Sequence, residues 1–298
     1  MSGRGTDRPA GPAGDLCAVV LAAGRGTRLR PLTRLRPKPL CPVGDQPLLD
    51  RVLGQVAALG PAGPVAVAVN ASWLAEQVAG HLAGRAYLSL ERPVPLGTAG
   101  GLARLKNWIG GRPVLAGNAD AYLAGGNLDR LLAGWDGGTV RLLGVPAAPG
   151  EPGTFSGFRF AGFSLLPWRW VQDLPEHPGE LVHAVWRPAE AAGTLRVVGY
   201  RGYAQDTGTL AGYLAANRHA AVAAGGVLVG PGATVTGRCA ESVIGAGAAV
   251  RGRLTRAVVW PGCFVGPDEH LVDAVRARSD VTVRLAGSQP GAPAQAGA

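Results

Sequence analysis

Lysine is nearly absent from this 298-residue chain: of its 29 basic residues only Lys38 and Lys106 are Lys, and the rest are Arg. Where Arg serves almost every cationic position, a Lys inside a motif marks a demand for a compact ammonium. Charged residues of both signs make up only 16% of the chain. No apolar run reaches the ~18 residues of a membrane span, so neither an integral membrane protein nor a membrane partner is expected. The four cysteines, Cys17, Cys41, Cys239 and Cys263, form no CxxC and have no His pair nearby. That spacing argues against a zinc site or a disulfide framework and points to a reducing, cytoplasmic setting with all four as small buried hydrophobes. Gly is plentiful at 47 but follows no triplet repeat, which excludes collagen. Recurring apolar segments exclude wholesale disorder, while residues 1–14 and 286–298 are expected as loose tails.

The excess of 29 Arg and Lys over 20 acids gives a formal charge of +9. Such a field favours anionic partners: nucleotides, phosphorylated metabolites or nucleic acid. Nucleic acid is set aside because no binding motif and no aromatic–basic interleaving accompanies the charge.

Over the first two hundred residues, short apolar runs alternate with amphipathic stretches. Cys17–Ala22, Val65–Val69 and Val114–Ala116 read as parallel strands covered on both faces. Leu48, Leu49, Val52, Leu53 and Val56 mark one helix, and Leu128, Leu131, Leu132 and Trp135 mark another opened by Asn127. Strands at 158–165 and 195–200 and helices at 181–192 and 209–224 follow. The alternation predicts an α/β domain with a mainly parallel sheet over 15–224.

After Gly225-Gly226 the helical period disappears. Aliphatics fall at Val229, Val235, Ile244, Val250, Val259, Val265 and Leu271, at spacings of 6, 9, 6, 9, 6 and 6. A six-residue period among small residues predicts a short parallel β-helix over 227–285, of about two coils, with the nines as corner shifts. Its expected use is assembly into a homo-oligomer or packing on the catalytic domain, rather than chemistry.

The first strand leads into Leu21-Ala22-Ala23-Gly24-Arg25-Gly26-Thr27-Arg28. A Gly-rich loop after a buried strand lets backbone N–H groups approach an anion. It is neither a Walker A motif nor a dinucleotide GxGxxG. Then Arg36-Pro37-Lys38-Pro39-Leu40-Cys41-Pro42-Val43 sets Lys38 between prolines, where it is expected to project from a stiff extended segment.

Taken whole, GRGTRLRPLTRLRPKPLCPV closely resembles the signature of the sugar-phosphate nucleotidyltransferases, and the Leu96–Gly101 loop LGTAGG with the appended hexapeptides most resembles the mannose-1-phosphate guanylyltransferases. The resemblance implies a Rossmann-like domain of mixed, mainly parallel sheet and a left-handed β-helix of hexapeptide repeats. It covers nearly all of 16–275 and orders the remaining motifs. Leu21, Ala22, Ala23, Gly24, Gly26 and Thr27, with Gly97, Thr98 and Ala99 of the LGTAGG loop, match the nucleotide-binding segments. Asp120, closing Gly117-Asn118-Ala119-Asp120, and Asp206, in Gln205-Asp206-Thr207-Gly208, match the pair that binds Mg²⁺. Arg28 then braces the triphosphate, and Lys38 draws the sugar phosphate and α-phosphate together. Gly162 and Glu180 match positions under the sugar ring and at its hydroxyls.

One departure concerns the sugar phosphate. A Glu-Lys-Pro motif is usual between the two metal aspartates, yet no Lys occurs here after Lys106. Either an Arg such as Arg159 or Arg187 substitutes, or the sugar phosphate is held differently. The implied reaction joins a nucleoside triphosphate to a sugar 1-phosphate with release of pyrophosphate, GTP and mannose 1-phosphate leading. Other bases and glucose, heptose or cyclitol phosphates stay open, as does a regulatory paralogue that senses the product without turnover.

Overall fold

The computed structural model describes residues 16–287, so the expected tails lie outside the described residues except for 286–287. Packing divides the chain into two compact units. The first comprises residues up to 25, 52–119 and 123–204. The second comprises 26–51, 120–122 and 205 onward. Among the described residues no helix is long and apolar enough to cross a membrane.

The first unit is built on a seven-stranded sheet. Its strands are β1 (Cys17–Leu21), β2 (Val67–Ala71), β3 (Tyr87–Leu90), β4 (Val114–Asn118), β5 (Val140–Pro146), β6 (Phe158–Leu166) and β7 (Leu195–Gly199). Their order is β7-β5-β6-β4-β1-β2-β3, and every pairing is parallel except those of β6. This is the mixed, mainly parallel sheet expected of the α/β domain. Cys17 through Val20 are all fully buried, which is why β1 reads as an unbroken apolar run. Leu21 stands beside Asn70 of β2 and Asn118 of β4, so the carboxyl ends of the central strands lie level. Open α/β sheets place ligands at such ends. A core of Val19, Leu102, Ile109, Leu166, Val185 and Trp186 covers the sheet.

Three local expectations give way to the structure. Val65 and Ala66 belong to a helical turn, Gly63–Ala66, and the strand begins at Val67. Pro64 suits the first turn of a helix, where its missing N–H costs nothing, and it leaves Val65 exposed. The helix expected through Trp135 stops at Leu132, and Gly134 follows at φ +56°. Trp135 is still buried, and its indole donates to Thr139 O. The 181–192 segment opens with a π-helical turn, Val182–Trp186, before the α-helical Arg187–Ala191.

In the second unit the chain after 226 forms a parallel β-helix. Each rung has three short strands and repeats about every 15 residues. Val229, Ile244 and Val259 stack in register, as do Val235, Val250 and Val265. The nine-residue spacings are not corner shifts: they conceal a third strand, in which Cys239 stacks on Leu254 and Leu254 on Leu271. Three rungs therefore form, not two. A fourth begins at Ala274–Arg278 and is closed by the antiparallel Val281–Arg284. Cys17, Cys41 and Cys263 are buried as expected, whereas Cys239 is half-buried; all four are free thiols.

Helix α1 spans Leu48–Ala58, α2 Gly97–Arg104 and α3 Leu210–Ala223. Within the second unit, α3 packs beside the first two rungs of the β-helix and the short strand Pro42–Val43. Thr209 caps α3 by accepting from Gly212 N.

Candidate active site

In the second unit, Arg28, Lys38, Asp120 and Asp206 come together. Pro37 is extended, as its ring dictates, but Lys38 does not project from an extended segment. It opens a one-turn 3-10 helix, Lys38–Leu40, and is buried, its side chain 8% exposed. Its Nζ lies 2.7 Å from Asp120 Oδ2 and 3.8 Å from Asp206 Oδ1. The backbone explains how residues so distant in sequence meet. Thr207 donates its hydroxyl (2.7 Å) and its N–H (3.3 Å) to Asp120 O, while Asp206 Oδ1 accepts from Gly208 N at 2.7 Å. Asp206 therefore folds its own turn, and Thr209 rather than Asp206 caps α3.

Two glycines border this cluster. A Cβ on Gly208 would stand 2.8 Å from an Arg28 guanidinium nitrogen, 2.9 Å from Asp206 Oδ1 and 3.2 Å from Lys38 Nζ. Two cations and one carboxylate thus crowd around one glycine. Gly26, at φ +59°, is pressed on the Thr33 methyl, whose hydroxyl donates back to Gly26 O.

The segment carrying Lys38 is held by α3. Tyr213, fully buried, donates to Pro42 O at 2.5 Å and accepts from Trp260 Nε1 at 3.0 Å. Asn217, one turn later, accepts from Gly44 N. The Arg36 guanidinium lies 4.9 Å from the Trp260 ring centroid. Burial pushes the Cys41 thiol up to about 12 and the Tyr213 phenol well above its usual range, so both stay protonated at neutral pH. Through Trp260 the β-helix braces the signature segment.

In the first unit a separate group forms around α2. Thr98 donates to Glu180 Oε2 at 2.7 Å and accepts from Leu181 N, while Ala99 N–H donates to Gly179 O. A Cβ on Gly97 would stand 2.5 Å from Gly179 O and 2.9 Å from Glu180 Oε1. Gly97, Thr98, Ala99 and Glu180 are therefore one cluster. Leu21 ends β1, and Ala22, Ala23 and Gly24 follow it; Gly24 is exposed with open space before it, and Ala22 N–H is taken by Asn70 Oδ1. Gly162, at φ +96°, lies in β6. Arg159 pairs with Glu151 at 3.2 Å, and Arg187 pairs with Glu190 and stacks on Phe155. Either would have to leave a carboxylate to serve as the expected phosphate cation.

A family model described as nucleotidyl transferase matches residues 17–132. That stretch is similar to a nucleotidyl transferase domain. Among curated proteins it is similar to the N-acetylmuramate alpha-1-phosphate uridylyltransferase of Caulobacter vibrioides. Identity there is 38% over 130 residues, covering 40% of this chain and 52% of that protein. The mannose-1-phosphate guanylyltransferase of Mycobacterium tuberculosis is 37% identical over 120 residues, covering 39% and 32%. The chain thus spans about half or less of the length of these relatives. A solved structure of a putative glucose-1-phosphate thymidylyltransferase from Bacillus anthracis superimposes with a TM-score of 0.57 at 15% identity. It covers 69% of this chain and 95% of that one, and shows the fold. Arg28, Lys38, Asp120 and the Gly97–Ala99 loop lie inside the matched nucleotidyl transferase domain; Gly162, Glu180 and Asp206 lie beyond it.

Sugar-phosphate nucleotidyltransferases generally use a divalent metal. Among the described residues no group of three or more His, Cys, Asp or Glu is placed to hold one. The donor set nevertheless fits Mg²⁺, which takes hard oxygen ligands and commonly binds through one or two carboxylates plus substrate phosphates. Asp120 and Asp206 both reach the same ammonium, and both are partly open to solvent, their side chains 40% and 56% exposed.

Sequence reasoning missed two buried polar residues, Asn70 and Glu91, each 1% exposed. Their signal was a polar residue at the end of an apolar run, in Val67-Ala68-Val69-Asn70 and Tyr87-Leu88-Ser89-Leu90-Glu91.

Proposed function

We propose that this chain transfers a nucleotidyl group from a nucleoside triphosphate to a sugar 1-phosphate, releasing pyrophosphate. The observation that carries the reading is the buried Lys38 ammonium set against Asp120 and Asp206, with Arg28 beside them at Gly208. Attack of a sugar-phosphate oxygen on the α-phosphorus forms one P–O bond and breaks the bond to the β-phosphate oxygen, whose electron pair leaves with pyrophosphate. A phosphate oxygen is already an adequate nucleophile, so no general base is required. What the protein must supply is positioning and neutralisation of converging polyanions. Lys38, held by its turn and largely dry, presents a fixed point charge to the phosphates. Arg28 offers a planar fork to the triphosphate and the departing pyrophosphate. Asp120 and Asp206 would hold Mg²⁺, which when bound supplies charge neutralisation on the phosphate oxygens. Gly97, Thr98 and Ala99 serve the nucleotide, and Glu180 and Gly162 the sugar.

For the substrates, the LGTAGG loop and the appended β-helix favour GTP with mannose 1-phosphate. Similarity to the Caulobacter protein supports a second pair, UTP with an N-acetylated sugar-acid 1-phosphate. The protein is proposed to act in the cytoplasm, as a homo-oligomer joined through the β-helix.

The test is pyrophosphate release with Mg²⁺ and with chelator present. GTP, ATP, UTP, CTP and dTTP are each paired with mannose, glucose and N-acetylmuramate 1-phosphates. Turnover in one cell that chelation abolishes supports the reading and names both substrates. Nucleotide binding without turnover in any cell replaces it with the product-sensing paralogue.

A further inference from the structure

At the carboxyl ends of β1, β2 and β3 a line of three hydrogen bonds runs through the interior of the first unit. Ala22 N–H donates to Asn70 Oδ1 at 2.5 Å, Asn70 Nδ2 donates to Glu91 Oε1 at 2.7 Å, and Leu96 N–H donates to Glu91 Oε2 at 2.6 Å. The line begins where the Gly-rich loop leaves β1 and ends at the residue before α2. Helix α2 is seated on it: a Cβ on Gly101 would stand 2.6 Å from Asn70 Nδ2 and 2.9 Å from Glu91 Oε1. Buried polar groups of this kind are costly unless every member is satisfied. Here each is satisfied, and in one sense only. Ala22 N–H needs an acceptor, so the Asn70 carboxamide must turn its oxygen that way and its NH₂ toward Glu91. Glu91 must then accept on one oxygen from Asn70 and on the other from Leu96, which an ionised carboxylate does and an amide cannot. Burial raises the Glu91 carboxyl above its usual range, while Leu96 N–H and the Asn70 amide act to keep it ionised.

We propose that Asn70 and Glu91 are positioning residues that hold the two nucleotide-binding loops, 21–24 and 96–101, at a fixed spacing. This rests on the reading that these loops take the nucleoside triphosphate. Ala22 N–H is spent inside the protein, so its part in binding is to aim the residues that follow it. Glu91 sets where α2 begins, and hence where Gly97, Thr98 and Ala99 stand. The pair acts through the loops and touches no reacting atom.

The polarity of the line permits an exchange test. Glu91→Gln leaves one oxygen for two donors, and Asn70→Asp sets two carboxylates face to face. Each single change is expected to raise KM for the nucleoside triphosphate about tenfold, with kcat and the sugar-phosphate KM within about threefold of the parent, the pattern of lost ground-state positioning. Amide hydrogen exchange is expected to quicken in both 21–24 and 96–101. The double exchange Asn70→Asp/Glu91→Gln rebuilds the line. The carboxylate placed at 70 accepts from Ala22 N–H and from the amide placed at 91, whose oxygen accepts from Leu96 N–H. It should recover both KM and exchange to within about threefold of the parent. Recovery supports the proposal, including the case in which only the double variant folds. A double variant no better than the worse single one overturns it, as does quickened exchange in one loop alone. If the parent turns over no substrate pair, the proposed function fails, and recovery of exchange protection still decides whether the line couples the loops.

Discussion

Replacing Tyr213 with Phe removes one oxygen atom from a fully buried position and leaves the ring in place. The loss falls on two partners: Pro42 O, which accepts from the hydroxyl at 2.5 Å, and Trp260 Nε1, which donates to it at 3.0 Å. Pro42 and Trp260 are themselves buried, so neither orphaned group recovers a water. Leaving a buried donor or acceptor unmade costs about 1–3 kcal/mol each, which puts Tyr213→Phe at about 2–4 kcal/mol after allowing for relaxation. Urea unfolding of the full chain, followed by tryptophan fluorescence, reads that loss as a shift in midpoint at constant slope. Trp260→Phe in the Tyr213→Phe background removes one orphan, so the two changes should be less than additive by about 1 kcal/mol. Because the Pro42 carbonyl closes the segment that starts at Lys38, kcat should fall along with stability. A Tyr213→Phe protein within 0.5 kcal/mol of the parent, or strict additivity with Trp260→Phe, refutes the claim that this hydroxyl braces the signature segment.

Lys38→Ala, Asp120→Ala and Asp206→Ala are each expected to lower kcat about 10²-fold or more, the scale for losing a preorganised charge; near-parental turnover in all three defeats the site assignment. Gly212→Ala sets a Cβ 2.1 Å from Asp206 O, a backbone atom that cannot step aside cheaply. It should therefore destabilise by about 1–3 kcal/mol and loosen Asp206, read as a lower melting temperature and a weaker response to Mg²⁺. Burial holds His219 below its ordinary value, with its ring against the Tyr122 hydroxyl. Its folded form binds fewer protons than the unfolded form below about pH 6.5, so its contribution is intact above that pH and is lost as pH falls. His219→Gln should flatten that part of the melting-temperature profile between pH 7 and pH 5.5; an unchanged slope counts against it.

The parts legible in sequence were those fixed by local chemistry. β1 announced itself because a strand buried on both faces tolerates nothing polar. The Arg28–Lys38 segment was legible for another reason: prolines and glycines at fixed offsets leave few backbone paths. Asn70 and Glu91 were illegible because their meaning lies in a partner 21 residues away, and either alone looks like a strand end. The third strand of each β-helix rung was hidden by its brevity, two or three residues with Cys239 or Leu254 pointing inward, so the spacing looked like a corner. Lys38 was expected to be displayed; its burial follows from the 3-10 turn that Pro39 permits at its second position.

Tyr213 and Arg36 both reach Trp260, and the consequence is genealogical. A boundary drawn through Gly225-Gly226 looks like a natural seam for recombination, since composition changes there. The packing says otherwise: the repeat after the seam shares one interior with residues 26–51 before it. A lineage that exchanged its C-terminal repeats at that seam would inherit a foreign surface against Tyr213 and Arg36, and would have to revise them together. The heritable cassette is therefore discontinuous, and chimeras spliced at 225 should fail more often than those that carry 26–51 along.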